Sequence, residues 1–518
     1  MDAQRRPRAL FFLLVPVLAP LVFLFLLEGA LRIAGIGAPE LSTDPARGFL
    51  PFDSVFREVI DEEGAVRLEV RTPPTELPFM TLRQFNPQSH PARKPSGEYR
   101  ILFVGDSLAY GWPYDDRTSF PRLLAAGLSA ARPEVAWRVI NMGAPGWGTT
   151  RLRGLSEELT RLDPDLVVVV TGNNEALEAS FAAEVLEGRE ARVLLLSRLS
   201  RHSHLITLMM GAAERLRGAS PAPTARSARE RPGESRAVLV ERFEENLTAI
   251  ASTFLGRGSR VYLATVPVNL RDCPPLGRDG PGEASGSRDP ALGARYLRAR
   301  ALLEQGSPAE ALALVEPLAD ALPESARIHY LKARALDANG RSEDASEAYR
   351  RALNLDPSML RAFDALNAKV ESVAAATGAS VLDLVGAIRA ASEGGVPGDD
   401  LFLDNCHPNR RGTVVLALAT AKRMARDSIL GAERDWSGDF LRAIDDYLGA
   451  VHLSDQSQVE ALKFLLFYST RLNPDEERAA ALQREIEARD PEGRYAGPAF
   501  RERFFRDRSS SPRQEAPR

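Results

Sequence analysis

Apolar and polar positions along the chain fall into an alternation of short apolar runs and amphipathic stretches, interrupted twice. Tyr99 to Val104 reads as a strand, Arg117 to Ala131 as an amphipathic helix and Trp137 to Asn141 as a second strand. Thr150 to Leu162 reads as a helix, and Leu166 to Val170 is an unbroken apolar run. Strands apolar on both faces belong in a parallel sheet covered by helices, so the pattern predicts an α/β fold. The rhythm resumes with a helix at Val238 to Phe254 and a strand at Val261 to Val266. It returns again with a helix at Leu360 to Ala376, a strand at Ser380 to Leu384 and a helix at Arg410 to Arg426.

The interruptions have different characters. Residues 176–235 hold a helical stretch around Ala191 to Leu216 and an Arg/Ser/Pro/Ala-rich segment, Gly218 to Arg236, of linker composition. The second opens with a Gly/Pro-rich piece, Arg271 to Pro290, and continues as a repeat. Tyr296 and Tyr330, Ala299 and Ala333, Gly306 and Gly340, Ala311 and Ala345, and Pro323 and Pro357 are all separated by 34 residues. That period, with small residues where paired helices touch, resembles the tetratricopeptide repeat and implies a protein partner. A looser echo at Ala443 to Tyr447 predicts a degenerate helical repeat over 436–490.

Before the alternation, Arg5, Arg6 and Arg8 precede an uncharged run from Ala9 to Leu27. At 1.5 Å per residue it spans about 28 Å, close to a bilayer core, so it predicts a single-pass anchor with a cytoplasmic N-terminus. A cleaved signal peptide is the competing reading, but the run is long for one and no small-x-small cleavage site follows. Everything after residue 35 is then expected outside the cytoplasm, on the periplasmic side of a bacterial inner membrane.

These segments predict an anchor over 1–35, a stalk over 36–96 with a short strand at Val66 to Val70, and an α/β domain over 97–428 carrying insertions at 176–235 and 271–358. A helical extension over 429–505 and a charged tail over 506–518 complete the chain. The length of 518 residues agrees with two to four domains. Its 66 basic and 70 acidic side chains give a net charge of −4, with the basic ones, overwhelmingly Arg, scattered among acids. A nucleic-acid footprint needs a clustered positive excess, which is missing here.

The candidate chemistry sits at the strand ends, where ligands approach parallel sheets. The first strand runs into Gly105-Asp106-Ser107, the second into Gly143, the third into Gly172-Asn173-Asn174-Glu175, and the last is followed by Asp404-Asn405-Cys406-His407. A carboxylate three residues before an imidazole can accept from Nδ1 and leave Nε2 free to deprotonate a serine. These four blocks, in this order, resemble the SGNH/GDSL hydrolases, a three-layer flavodoxin-like α/β family of esterases and acyl-transfer enzymes. The resemblance implies Ser107 as nucleophile, His407 as general base and acid, and Asp404 as its orienter. The Ser107 and Gly143 N–H groups and the Asn174 side chain would form the oxyanion hole. The family's usual Asp after the Asn is Glu175 here, a departure expected to touch no catalytic role.

Other candidates are weaker. His329 lies inside a repeat helix, His202, His204 and His452 lie in helical stretches, and His90 has no interpretable context. No metal-ligand spacing appears, so neither metal nor cofactor is expected. Cys273 and Cys406, both expected on one rim of the sheet, leave two alternatives open, a disulfide or two free thiols. Trp112 and Trp147 either line an acyl or sugar site or cap the core. The leading functional expectation is a membrane-anchored serine esterase cleaving an ester of a glycan, lipid or small molecule. An O-acyltransferase using the same triad and a repeat-based assembly protein with an inactive hydrolase domain are the alternatives.

Overall fold

The computed structural model describes residues 20, 22–34, 54–72, 74–77, 80–186, 203–206, 208–209, 235–277, 289–432 and 436–505. Residues 218–234 of the expected linker, the tail and most of the helical stretch around Ala191 to Leu216 lie outside these residues. So do residues 9–19 and 21 of the apolar run. Among the described residues no helix is long and apolar enough to cross a membrane.

The chain forms two compact units, Met1–Val55 with Phe181–Thr224, and Phe56–Ser180 with Ala225–Arg518. In the first, residues 22–34 are helical, and Glu28 accepts hydrogen bonds from Ser203 Oγ at 2.8 Å and from the N–H groups of His204 and Leu205 at 3.0 Å.

The second unit begins with β1 (Phe56–Ile60), β2 (Val66–Val70), the hairpin β3 (Pro74–Leu77) and β4 (Met80–Arg83), and β5 (Ser89–Pro91). β1, β2 and β5 form an antiparallel sheet, so part of the expected stalk is a small β-structure with more than the one strand anticipated. Then come β6 (Glu98–Gly105), α1 (Ser107–Tyr110), α2 (Phe120–Ala131), β7 (Ala136–Gly143), α3 (Thr149–Leu159), β8 (Leu166–Val170), α4 (Glu175–Leu186), α5 (Arg236–Leu255) and β9 (Arg260–Ala264). Ser119 caps α2 by accepting from the Arg122 N–H, with Pro121 in the first turn, which is why the helix starts later than its amphipathic pattern.

Four helices follow, α6 (Pro290–Glu304), α7 (Pro308–Ala321), α8 (Ala326–Ala338) and α9 (Ser342–Leu355). The offset of 34 residues corresponds to two helix pairs whose matched small residues, Ala299 with Ala333 and Ala311 with Ala345, are fully buried. The chain re-enters the α/β layers with α10 (Asp364–Thr377), β10 (Ser380–Leu382), α11 (Leu384–Ala391) and α12 (Arg410–Arg426). It ends in α13 (Ser437–Ala450), α14 (Asp455–Phe467), α15 (Glu476–Arg489) and α16 (Pro498–Phe504).

The main sheet is parallel throughout, in the order β10-β9-β8-β6-β7. Its central strands β6 and β8 are buried on both faces, as their apolar runs require. Helices α3, α5 and α10 pack together as one layer, and α2, α12 and α11 as the other. Strand order reverses between β6 and β8, the switch point where a doubly wound sheet opens a crevice at its carboxyl end.

The C-terminal helices do not form the repeat pair suggested by Ala443 to Tyr447. Instead α13 lies on α2, and α14 pairs with α15 around Val459, Leu462, Leu466 and Ile486. Gly127 on α2 is the contact point, since a Cβ there would come within 2.4 Å of the Phe440 ring.

Candidate active site

Ser107 is the first residue of α1, directly beyond the end of β6 at the switch point. Gly105 is required because a Cβ would stand 2.3 Å from the Val170 carbonyl of the neighbouring strand. Asp106 caps the turn, its Oδ1 accepting from the Leu108 N–H at 2.8 Å. Burial pushes the Asp106 carboxyl up to about 6, against the lowering effect of that N–H.

Between Phe402 and Pro408, which pair across a β-bridge, the chain folds back on itself, and the Leu403 N–H donates to the His407 carbonyl at 2.8 Å. Asp404 Oδ1 accepts from the backbone N–H groups of Cys406 at 2.9 Å and His407 at 2.8 Å. Its Oδ2 lies 2.6 Å from His407 Nδ1, and His407 Nε2 lies 2.8 Å from Ser107 Oγ. Burial raises the Asp404 carboxyl, but the adjacent imidazole and the two N–H groups outweigh it and hold the group below its ordinary range. With Nδ1–H donating to Asp404, the network assigns Nε2 as the acceptor for the serine hydroxyl. Asp404 is fully buried, and Ser107 and His407 are each only 6% exposed. Residues 300 positions apart in sequence therefore meet at hydrogen-bond distance.

The expected oxyanion donors are brought together only in part. Asn174 follows β8, and its Nδ2 donates to the Trp147 carbonyl at 3.2 Å, so its amide borders the loop after β7. Gly143 is engaged elsewhere. Its N–H already donates to Asn141 Oδ1 at 3.0 Å, and its missing side chain serves packing, for a Cβ would sit 2.3 Å from the Tyr110 nitrogen. In the loop beyond, Gly146 has φ +76°, with open space where a Cβ would be. Among the described residues its N–H makes no hydrogen bond.

Glu175, expected to touch no catalytic role, builds that loop. Its Oε1 accepts from the Thr149 N–H at 3.0 Å and its Oε2 from the Thr149 hydroxyl at 2.6 Å. One turn later, Glu178 accepts from the N–H groups of Gly148 at 3.0 Å and Thr150 at 2.9 Å, and from Arg151 Nε at 2.6 Å. Arg151 also donates to the Gly146 carbonyl and lies 5.1 Å from the Trp147 ring centroid. Two carboxylates from the first turn of α4 thus satisfy the free N–H groups opening α3. Burial, and then the charge of Glu178, push the Glu175 carboxyl upward. The spacing of Glu175 and Glu178 was a sequence signal for this, since acids in a first helical turn seek backbone donors.

Asn269, after β9, was not anticipated. It donates to the Asp404 carbonyl at 3.0 Å and its N–H to the Asn405 carbonyl at 3.0 Å, anchoring the loop of the acid and the imidazole. Nor was Phe464 of α14, whose ring stands edge-on to His407 with centroids 5.8 Å apart.

Of the alternatives for the cysteines, the structure adopts two free, buried thiols. Cys273 Sγ accepts from the Tyr468 hydroxyl at 3.4 Å, while Cys406 Sγ lies 3.8 and 3.9 Å from the two His407 ring nitrogens, so each thiol is packed against its own partner rather than bridged. Asp404, Cys406 and His407 bring one ligand atom each within 4.8 Å of one another, yet both imidazole nitrogens already face Asp404 and Ser107. Trp147 is core, against Phe85. Trp112 lines a cavity of about 230 Å³ together with Leu108, Pro408 and Leu448. His90 is buried against Gln88 and His329 bonds the Pro323 carbonyl.

A parallel sheet presenting a hydroxyl, an imidazole and a carboxylate in series at its switch point defines a serine hydrolase. Residues 103–414 match the model of the GDSL-like lipase/acylhydrolase family, and the chain belongs to that family. Among solved structures it is similar to LAE5, described as an alpha/beta hydrolase enzyme from the metagenome of Lake Arreo, Spain, at 15% identity and TM-score 0.31, covering 64% of this chain and 97% of that one. A catalytic mutant of Axe2, an acetylxylan esterase from Geobacillus stearothermophilus, matches at 13% identity and TM-score 0.30, covering 62% and 93%. The acetyl xylan esterase AlAXEase matches at 11% identity and TM-score 0.30, covering 62% and 98%. No match was found among curated proteins.

Proposed function

We propose that the protein hydrolyses an ester of a glycan, lipid or small molecule through a Ser107-His407-Asp404 triad, in a domain held by an N-terminal helix on the extracytoplasmic side of a membrane. The observation that carries the reading is the unbroken series of 2.8 Å from Ser107 Oγ to Nε2 and 2.6 Å from Nδ1 to Asp404. Ser107 Oγ attacks the carbonyl carbon as Nε2 takes its proton. The tetrahedral oxyanion collapses, the alcohol leaves with that proton, and an acyl-Ser107 ester remains. Water, deprotonated by the same nitrogen, attacks the acyl-enzyme, releasing the acid and restoring the serine.

For the oxyanion, the Ser107 N–H and the Asn174 amide are the donors favoured here. The Gly146 N–H takes the place expected of Gly143, because the latter is spent on Asn141. Support for the anchor is the run from Ala9 to Leu27 behind three arginines. Support for a protein partner is the 34-residue period over α6 to α9, the pattern of tetratricopeptide-like surfaces. A fluorophosphonate should label the purified full chain at Ser107 alone, and Ser107→Ala should abolish hydrolysis of an aryl acetate. Undiminished hydrolysis by Ser107→Ala would remove the reading.

A further inference from the structure

The C-terminal extension lies beyond the family match, which ends at residue 414, yet it reaches the site. It is pinned around the loop that carries Asp404 and His407. The Tyr468 hydroxyl donates to Cys273 Sγ at 3.4 Å, Asn473 Nδ2 donates to the Asp272 carbonyl at 3.1 Å, and Arg478 bonds the Leu403 carbonyl and faces Asp399 at 3.4 Å. Just before α14, Arg117 donates to the His452 carbonyl at 2.8 Å. Held between these points, α14 sets Phe464 edge-on to the His407 imidazole at 5.8 Å and to Trp112 at 5.1 Å. Phe464 itself is only half-buried. Trp112, at 7% exposure, packs against it.

In acyl transfer the imidazole Nε2 must hand its proton to the departing oxygen, so a side chain resting on that ring borders the space of the leaving alcohol rather than that of the acyl chain. We infer that Phe464, supplied by the C-terminal extension, is a specificity-determining residue that limits the size of the alcohol portion of the ester. The substrate class is thereby narrowed to esters of small or slender alcohols. An incoming acceptor follows the reverse path of the leaving alcohol, so the same ring favours water over a bulky hydroxyl at the second step. This inference rests on the triad reading above.

The test compares two substrate pairs on the full chain. Phenyl acetate and 4-methylumbelliferyl acetate share the acyl group and differ in the alcohol, while phenyl acetate and phenyl butyrate share the alcohol. In Phe464→Ala, the ratio of kcat/KM for the bulkier alcohol over phenol should rise by about tenfold or more, the scale on which pocket size discriminates. The butyrate-to-acetate ratio should stay within about threefold of wild type. Phe464→Leu keeps an apolar contact that holds α14 in place and should shift the alcohol ratio in the same direction by less, so it decides the matter if the alanine variant does not fold. Alcohol ratios unchanged in the folded variants, or a shift in the acyl ratio instead, would overturn the inference. Retention of phenyl acetate turnover by Ser107→Ala would strike the triad reading itself, whereas a Ser107-dependent activity with unmoved alcohol ratios overturns the Phe464 inference alone.

Discussion

Arg151 Nε and Glu178 Oε1 form an ion pair of 2.6 Å with both side chains almost wholly buried, and the two residues also hold the Gly146 carbonyl and the Gly148 and Thr150 N–H groups. Breaking such a pair leaves an uncompensated charge in a low-dielectric interior, here with Glu175 beside it. Arg151→Met should lower unfolding free energy by about 3–5 kcal/mol in urea denaturation. A loss below about 1 kcal/mol, the range of exposed pairs, would show that the pair is not what holds this loop.

The amide of Asn174 is placed beside that loop, its Nδ2 donating to the Trp147 carbonyl. Asn174→Ala should reduce kcat about 100- to 1000-fold, the cost of one oxyanion donor, with little change in stability. An unchanged kcat would take Asn174 out of the oxyanion site.

Asp404 fixes the imidazole through Oδ2 while its other oxygen is occupied by two backbone N–H groups. Asp404→Asn preserves shape but offers Nδ1 a donor instead of an acceptor, turning the imidazole to the wrong tautomer. A fall in kcat of about 10⁴ is expected, as in other triads, measured with an aryl acetate. A loss of less than tenfold would contradict this role.

His90 gives a pH signature. Burial first, then the charges of Arg138, Arg100 and Arg67, lower its pKa to about 3, with Glu98 opposing them. The unfolded chain therefore binds a proton near pH 6.5 that the folded chain refuses until about 3, so this residue's contribution is whole above 6.5 and is lost as pH falls. Between pH 7 and 4.5 wild type should lose about 2–3 kcal/mol more stability than His90→Gln, read from urea midpoints at both pH values. Parallel losses in the two proteins would exclude the effect.

Gly127 lies beneath Phe440, with no room for a Cβ. Gly127→Val should displace α13 and destabilise the protein by about 1–3 kcal/mol, with limited proteolysis opening first in residues 437–450. Resistance to protease equal to wild type would show that α13 docks elsewhere.

The sequence by itself determined the sheet and the reactive groups. The apolar runs of β6 and β8, alternating with amphipathic stretches, call for buried parallel strands, and Asp404 and His407, three residues apart on one loop, are spaced for mutual contact. Glycine was legible as a requirement but not as a role. Gly143 and Gly146 read alike in sequence, and only the Asn141 side chain bonded to one of them separates a packing glycine from one with a free N–H. Side chains that meet through packing left no local trace, because the crossing of elements, not spacing, brings them together. Phe464 reaches His407 only since α13 seats on Gly127 and the latches at Tyr468, Asn473 and Arg478 turn α14 over the site. The chemistry was therefore carried by residues near one another or at strand ends, while the shape of the space around it was decided by how distant helices pack.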